Sequence, residues 1–405
     1  MTIERAAFGG DVLGYLDDGR VAFVRGAAPG DVVTARLTNV RKKYVKGRIV
    51  EVKSGGRGVA PFCDVFAECG GCPWQGIGIA DQRATLQAHI QRSFGPLMAD
   101  EGTLLDMRTF ETESWRATAR LHFDGAVVGF RGFGSHRIVD VEHCPIFTSI
   151  LDSILDHLRN TFSQVPARGT ARITADLNAN TGTIFLECED KPGIQGAALA
   201  TALLDHSAVH GVSLKYRDKH WVQGHPFNEL GPRKIRHAAH GFVQAHQSGN
   251  RALVETVVGT LASSQHCLEL YAGSGNFTLP LLAAGQRVTT VEVDAEAVDS
   301  VRTSADSQGL GAGLTVHCGR AETLVVGDFD ALLVDPPRAG MPNIAEVASH
   351  HPFRSLVYVS CNPASLARDI RTLLATNWSL KYIEPYDLFP HTGHVEVLAV
   401  LDREN

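Results

Sequence analysis

No stretch of the 405-residue chain reaches the roughly 18 consecutive apolar residues that a membrane-spanning helix needs, so no membrane-embedded partner is expected. The N-terminus, MTIERAAFGGDVLGYLDDG, carries acidic residues and no apolar core segment; it does not read as a secretory signal, and a cytoplasmic location is expected. Internal repeats and low-complexity tracts are also lacking. A large positive charge is missing as well: 38 Lys+Arg stand against 44 Asp+Glu, a formal −6. Indiscriminate coating of nucleic acid, which depends on many released counterions, is therefore excluded. What remains is a globular chain with 44% hydrophobic residues and 40 glycines, long enough for two or three domains and with no signal of an obligate protein partner.

The charge is unevenly spread. Residues 1–60 hold eleven Lys/Arg against six Asp/Glu, and RKKYVKGR (41–48) interleaves cations with a tyrosine, a composition suited to phosphates plus one stacked base. The same region reads as short strands (VAFVRG, DVVTARLTNV, KGRIVEVK) punctuated by PGD and GG turns, which predicts a small β-barrel over 1–55. From 56 to 235 the pattern is α+β, with an amphipathic helix expected from Ala80 to Leu97 that places Leu86, Ile90 and Phe94 on one face. From 236 to 405, seven apolar runs alternate with helical segments: HCLELYAG, RVTTVEV, LTVHCG, FDALLVDPP, SLVYVSC, LKYIEPYDLF and VEVLAVLDR. That rhythm predicts a doubly wound, seven-stranded Rossmann-like α/β sheet, the count found in methyltransferases.

The chemistry-bearing residues sit at the ends of those runs. LELYAGSGNFTL places Gly273 and Gly275 between a strand and a helix, where a cofactor can approach the backbone. Glu292, at the end of the next strand, can accept hydrogen bonds from ribose hydroxyls. Thr278 stands where the third glycine of a pyrophosphate fingerprint would fall, which favours an adenosine cofactor without phosphates. Asp335, in VDPPRAG, ends a fourth strand and faces either the cofactor or a base. Cys361, in SCNP, ends a fifth. Carbon 5 of uracil becomes nucleophilic once a thiolate adds at C6, and a base must then remove the C5 proton. Glu396 in FPHTGHVE supplies that base, with His391 and His394 nearby.

Upstream, PFCDVFAECGGCPWQ spaces Cys63, Cys69 and Cys72 as C-x5-C-x2-C, with Cys144 in VEHCP as a candidate fourth ligand. Four thiolates hold either Zn²⁺ or a [4Fe-4S] cluster; one C-x2-C pair instead of two suits the cubane better. Cys188, Cys267 and Cys318 lie in or beside strand-like runs and are expected to pack.

These motifs together resemble one family over nearly the whole chain: the bacterial and archaeal uracil-5 RNA methyltransferases that act on 23S rRNA and tRNA. SCNP with a downstream FPHTGHVE carries the resemblance, and C-x5-CGGC with a later HCP marks its cluster-bearing branch. The resemblance implies a TRAM-like RNA-binding barrel, an iron-sulfur central domain and a methyltransferase domain. By it, Cys361 is the nucleophile and Glu396 the base. Gln244, Tyr271, Asn276, Glu292 and Asp335 contact S-adenosylmethionine or the target base, and Cys63, Cys69, Cys72 and Cys144 ligate [4Fe-4S]. One position departs: HCGRAE carries Arg320 where the family often has Asp or Asn. The RNA expected is 23S rRNA, with tRNA as the alternative; a cytosine-5 enzyme and a non-catalytic RNA-binding protein are the more distant readings.

Overall fold

The computed structural model describes residues 1–56, 58–98, 102–189, 196–321 and 326–404; Arg57, one of the eleven N-terminal cations, lies outside them. Five strands open the chain: Ile3–Ala6, Val12–Tyr15, Val21–Val24, Val32–Val40 and Tyr44–Ser54. The first two carry no strong strand signal. They form because Gly9 and Gly10 adopt the left-handed backbone (φ +94° and +96°) that turns the chain back on itself. The last strand pairs in parallel with Val21–Val24 and antiparallel with Val32–Val40, and a bridge from Thr2 to Val32 closes the sheet into a barrel. Arg41, Lys42 and Lys43 lie exposed at its tip.

The central sheet has seven strands in the order Lys219–Gly224, Val209–Tyr216, Thr181–Cys188, Arg168–Asp176, Thr118–Asp124, Val127–Arg131, Ile138–Asp140. Helices Ser149–Gln164 and Gly196–Leu204 cover one face, and alternation along Thr118–Asp124 buries Ala119, Leu121 and Phe123 beneath them.

All seven C-terminal apolar runs become strands of one sheet. Its order is Leu314–Cys318, Arg287–Glu292, His266–Leu270, Ala331–Val334, Ser355–Ser360, Glu396–Arg403, Trp378–Tyr386. Two details differ from the expected parallel, seven-stranded sheet. Glu396–Arg403 is antiparallel to both neighbours, because a short connection from Trp378–Tyr386 forms a hairpin, with no crossover helix to reverse direction. An eighth strand, Thr103–Leu104, joins the edge from far upstream. The segment carrying it is contiguous in sequence with the central region but packs on the C-terminal sheet. Helix Ile79–Phe94, which ends three residues before the expected span because Gly95–Leu97 tightens into a 3₁₀ turn, buries Leu86, Ile90 and Phe94 there. Each of these side chains contributes about 2 kcal/mol by burial. The same core includes barrel residues Ile3, Val12 and Val33, so barrel and methyltransferase sheet share one hydrophobic interior.

Candidate active site

A parallel sheet gathers its carboxyl ends along one edge, and the predicted residues lie there. Leu270 ends the first strand; Tyr271 then takes a left-handed backbone (φ +62°), followed by Gly273 (φ +54°) and Gly275 (φ +95°). A non-glycine residue held at positive φ costs of order 1 kcal/mol and concentrates at binding sites. At Gly275 a Cβ would stand 2.5 Å from Leu279, whereas at Gly273 it would meet nothing, so the loop backbone faces open space. The Glu292 carboxylate accepts from the Gly273 and Asp294 N–H groups (2.8 and 2.9 Å), fixing the loop against the second strand. Asn276 exchanges two amide hydrogen bonds with Asn250 (2.8 and 3.0 Å), which ties the loop to helix Gln247–Thr260. The Arg320 side chain is exposed just beyond the third strand.

One acid escaped the sequence reading. Glu269, buried directly beneath the glycine loop, accepts from the Thr278 hydroxyl at 2.6 Å and leaves its Oε1 without a partner among the described residues. Burial pushes its carboxyl up to about 8, and the neighbouring Asp335 and Glu292 charges add to the rise. Its place in the strand just before the glycines was the available signal. Open backbone at Gly273, an orphaned carboxylate oxygen and paired acids fit a cationic, hydroxyl-bearing adenosine cofactor.

Cys361 follows strand Ser355–Ser360 and precedes helix Pro363–Leu374, whose N-cap is Asn362; the Asn362 Oδ1 accepts from the Ala364 N–H. The Asn362 amide and Ser365 hydroxyl both donate to the Arg338 carbonyl (2.9 and 3.1 Å), stapling the Asp335-Pro-Pro-Arg338 turn against the cysteine loop. Burial pushes the Cys361 thiol up to about 11; the nearby Glu396 and Asp335 charges raise it further, and Arg338 opposes them. Burial likewise pushes Asp335 up to about 7 and holds Glu396 well above the ordinary carboxylate range, with a hydrogen bond from Gln244 pulling the other way. Thiol, two carboxyls and the Gln244 amide thus converge. Sequence reading missed Arg338, although it sits in the same DPPR turn as Asp335. His391 and His394 flank this group without joining it: His391 is buried and bonds to the Thr112 carbonyl (3.1 Å).

The upstream cysteines form a second site. Cys63, Cys69, Cys72 and Cys144 line one pocket with Arg116, Phe66 and Phe130. Burial pushes the Cys72 and Cys144 thiols up to about 12, with Arg116 opposing. Among the described residues no set of three or more His, Cys, Asp or Glu side chains stands in ready metal-binding geometry, and all eight cysteines are free thiols. The donor chemistry still fits a soft, sulfur-preferring centre, because the pocket offers four thiols and one cation to balance a negatively charged group. Arg116 had no sequence signal. Cys188 and Cys267 are buried as expected; Cys318 is exposed, at the end of a strand that forms the sheet edge among the described residues.

Comparison with known proteins places the chain in a family. Residues 320–404 match the tRNA (uracil-5-)-methyltransferase family model, and residues 1–50 match the TRAM domain. The chain is 30% identical over 414 residues to the 23S rRNA (uracil(1939)-C(5))-methyltransferase RlmD of Shewanella halifaxensis, covering 96% of this chain and 92% of that protein. It is 31% identical to an uncharacterized RNA methyltransferase of Gloeobacter violaceus, covering 99% and 95%. The fold is that of the Pyrococcus abyssi tRNA (uracil-54, C5)-methyltransferase solved with S-adenosyl-L-homocysteine, with a TM-score of 0.78 over 99% of both chains at 20% identity. A thiol and paired carboxyls at the cofactor edge of a methyltransferase sheet, behind a TRAM barrel and with full-length relatives at this identity, make the chain a member of the S-adenosylmethionine-dependent RNA uracil-5 methyltransferase family.

Proposed function

We propose that this protein methylates C5 of a uridine in 23S rRNA through a covalent bond between Cys361 and C6 of the base. The convergence of the Cys361 thiol with the Glu396 and Asp335 carboxyls carries the reading. The choice of RNA rests on the relatives at about 30% identity, several of which are 23S rRNA (uracil(1939)-C(5))-methyltransferases. A tRNA substrate is the second reading, favoured by the tRNA (uracil-5-)-methyltransferase family model that matches residues 320–404.

S-adenosylmethionine, when bound, supplies an electrophilic methyl group beside a positive sulfonium; Tyr271, Gly273, Gly275, Asn276 and Glu292 border the loop that would hold it. The chain's residues do the rest. The target uridine must leave its stack, at a cost of about a few kcal/mol that is least in a single-stranded loop. Cys361 passes its proton to the neighbouring Asp335 carboxylate and adds to C6, which shifts the electron pair to C5 as an enolate. Once C5 has taken the methyl group, Glu396 accepts the C5 proton, and the returning electrons break the S–C6 bond. Gln244 favours the carboxylate form that this step needs, and Asp335, whose charge acts on both Cys361 and Glu396, orients the edge of the target uracil.

Cys63, Cys69, Cys72 and Cys144 are assigned as ligands of a [4Fe-4S] cluster in a central domain spanning 56–235, between the RNA-binding barrel of 1–55 and the catalytic domain of 236–405. An rRNA-modifying role matches a cytoplasmic location. The test is incubation with tritiated S-adenosylmethionine and unmodified 23S rRNA or tRNA, followed by digestion to nucleosides. Label in 5-methyluridine from 23S rRNA is expected; label only from tRNA, or only in methylated cytidine, would overturn the proposal.

A further inference from the structure

Two arginines stand directly opposite one another on the central sheet. Arg120 of Thr118–Asp124 is the register partner of Arg172 of Arg168–Asp176, on the face turned away from the buried Ala119, Leu121, Ala171 and Ile173. Like charges at directly opposed positions destabilise a strand pair. Arg172 donates to the Gly241 carbonyl (3.0 Å), which neutralises nothing, and neither guanidinium forms an ion pair among the described residues.

The surrounding surface extends the same charge. Next along the Arg120 strand is His122, on the wall of an open groove that also takes in Arg131, His136 and the barrel's Arg25, and no described lining residue is acidic. Of the carboxylates nearby, Asp11 pairs with Arg25 (2.6 Å), Glu68 with Arg137, and Asp124 and Glu189 both with Arg168 (3.8 and 3.4 Å), while the exposed Glu187 lies across Thr170 from His122. Arg25 lies 4.5 Å above the Phe133 ring, which joins barrel to central sheet at the groove. At its other end the face runs toward the chemistry. Gly241, held by Arg172, opens the segment that reaches Gln244 and its bond to Glu396, and Phe242 between them is 75% exposed.

We propose that this face, from Arg131 and His136 past His122 to the Arg120–Arg172 pair, is a phosphate track that leads a single RNA strand to the active site. The inference rests on the RNA-methylation reading above. In a protein of net charge −6, two opposed guanidiniums without a carboxylate are stable company only for an anion, and a groove spanning barrel and sheet suits a polymer of phosphates.

The test is Arg120→Gln in the full-length protein, with Lys219→Gln on the far edge strand as the charge control and a 23S rRNA transcript as the probe. Arg120→Gln should raise the KM for RNA about three- to tenfold with kcat unchanged, and should lower the slope of log affinity against log salt by about one. Its Tm should hold or rise, because the like-charge contact is relieved; Arg120→Lys should restore affinity, and Lys219→Gln should change none of these. Unaltered KM and salt slope in Arg120→Gln, or an equal loss in Lys219→Gln, would overturn the track. If wild-type protein binds the transcript and Arg120→Gln weakens that binding, yet no RNA is methylated, the track stands and the functional reading fails.

Discussion

Cys361 and the four cysteines of the central pocket share one liability, since burial pushes every one of these thiols up and none is ready to act as a thiolate at neutral pH. Their neighbours set them apart. Around Cys361 stand two carboxyls and one exposed cation, a set able to move a proton. Around Cys72 stand three more thiols and Arg116, a set whose thiol protons a metal would displace. What a buried cysteine does is therefore decided by what faces it, and the two sites fail differently when altered.

The sharpest break is Cys361→Ser. A hydroxyl has no accessible anion here, so methyl transfer should fall at least about 10³-fold while RNA binding and fold persist, as single-turnover assays and calorimetry would read. Glu396→Gln should lose less turnover, about 10²- to 10⁴-fold, and should accumulate an RNA–protein adduct that survives denaturing gels, because addition and methylation precede the blocked proton loss. If Glu396→Gln forms no adduct, and wild type forms none even with 5-fluorouridine at the target position, covalent catalysis is wrong. Cys72→Ala acts on the other side of the comparison. It should strip iron and sulfide from the purified protein and lower its unfolding temperature, and a wild-type protein carrying one zinc would replace the cluster by a zinc site.

The candidate edge was readable because its residues follow strand ends: a run of buried β-branched residues fixes the strand, and strand order then brings Gly273, Asp335 and Cys361 to one edge. Antiparallel insertion of Glu396–Arg403 was not readable, since an apolar run carries no direction. Nor was the first barrel hairpin, Ile3–Ala6 with Val12–Tyr15, whose strands are four residues each and depend on a glycine turn more than on pattern. Arg116 and the Arg120–Arg172 pair were invisible for another reason. Each acquires meaning only from residues far away in sequence, through ladder register or a shared pocket.

Asp335 tests the electrostatics quietly. Its carboxyl is raised from 3.8 to about 7 by burial, so across that interval the folded protein keeps a proton that the unfolded chain releases. Stability contributed by the site is full below pH 3.8, falls as pH rises to about 7, and is flat above. Asp335→Asn imitates the protonated form and should remove this slope. The variant should melt above wild type at pH 8 and level with it near pH 4, although its methyl transfer is lost.

The smallest effect asks whether the two cysteine sites are independent. Gln82 is buried between them: its amide donates to the Trp74 and Ile77 carbonyls (3.0 and 2.7 Å), and its oxygen accepts from the His391 N–H (3.0 Å). Trp74 follows Cys72 by two residues and in turn donates to the His391 carbonyl (3.0 Å), while His391 is held at φ +67° five residues before Glu396. Such a backbone persists only when its surroundings over-determine it. Gln82→Leu leaves buried polar groups unpaired at about 1–3 kcal/mol. It should lower stability by that amount and kcat by about threefold, with iron content and the KM for S-adenosylmethionine unchanged. A variant less stable but equal in kcat would mean that the sites share a wall and nothing more. A drop in kcat would mean that the loop leading to Glu396 takes its shape from the cysteine loop behind it.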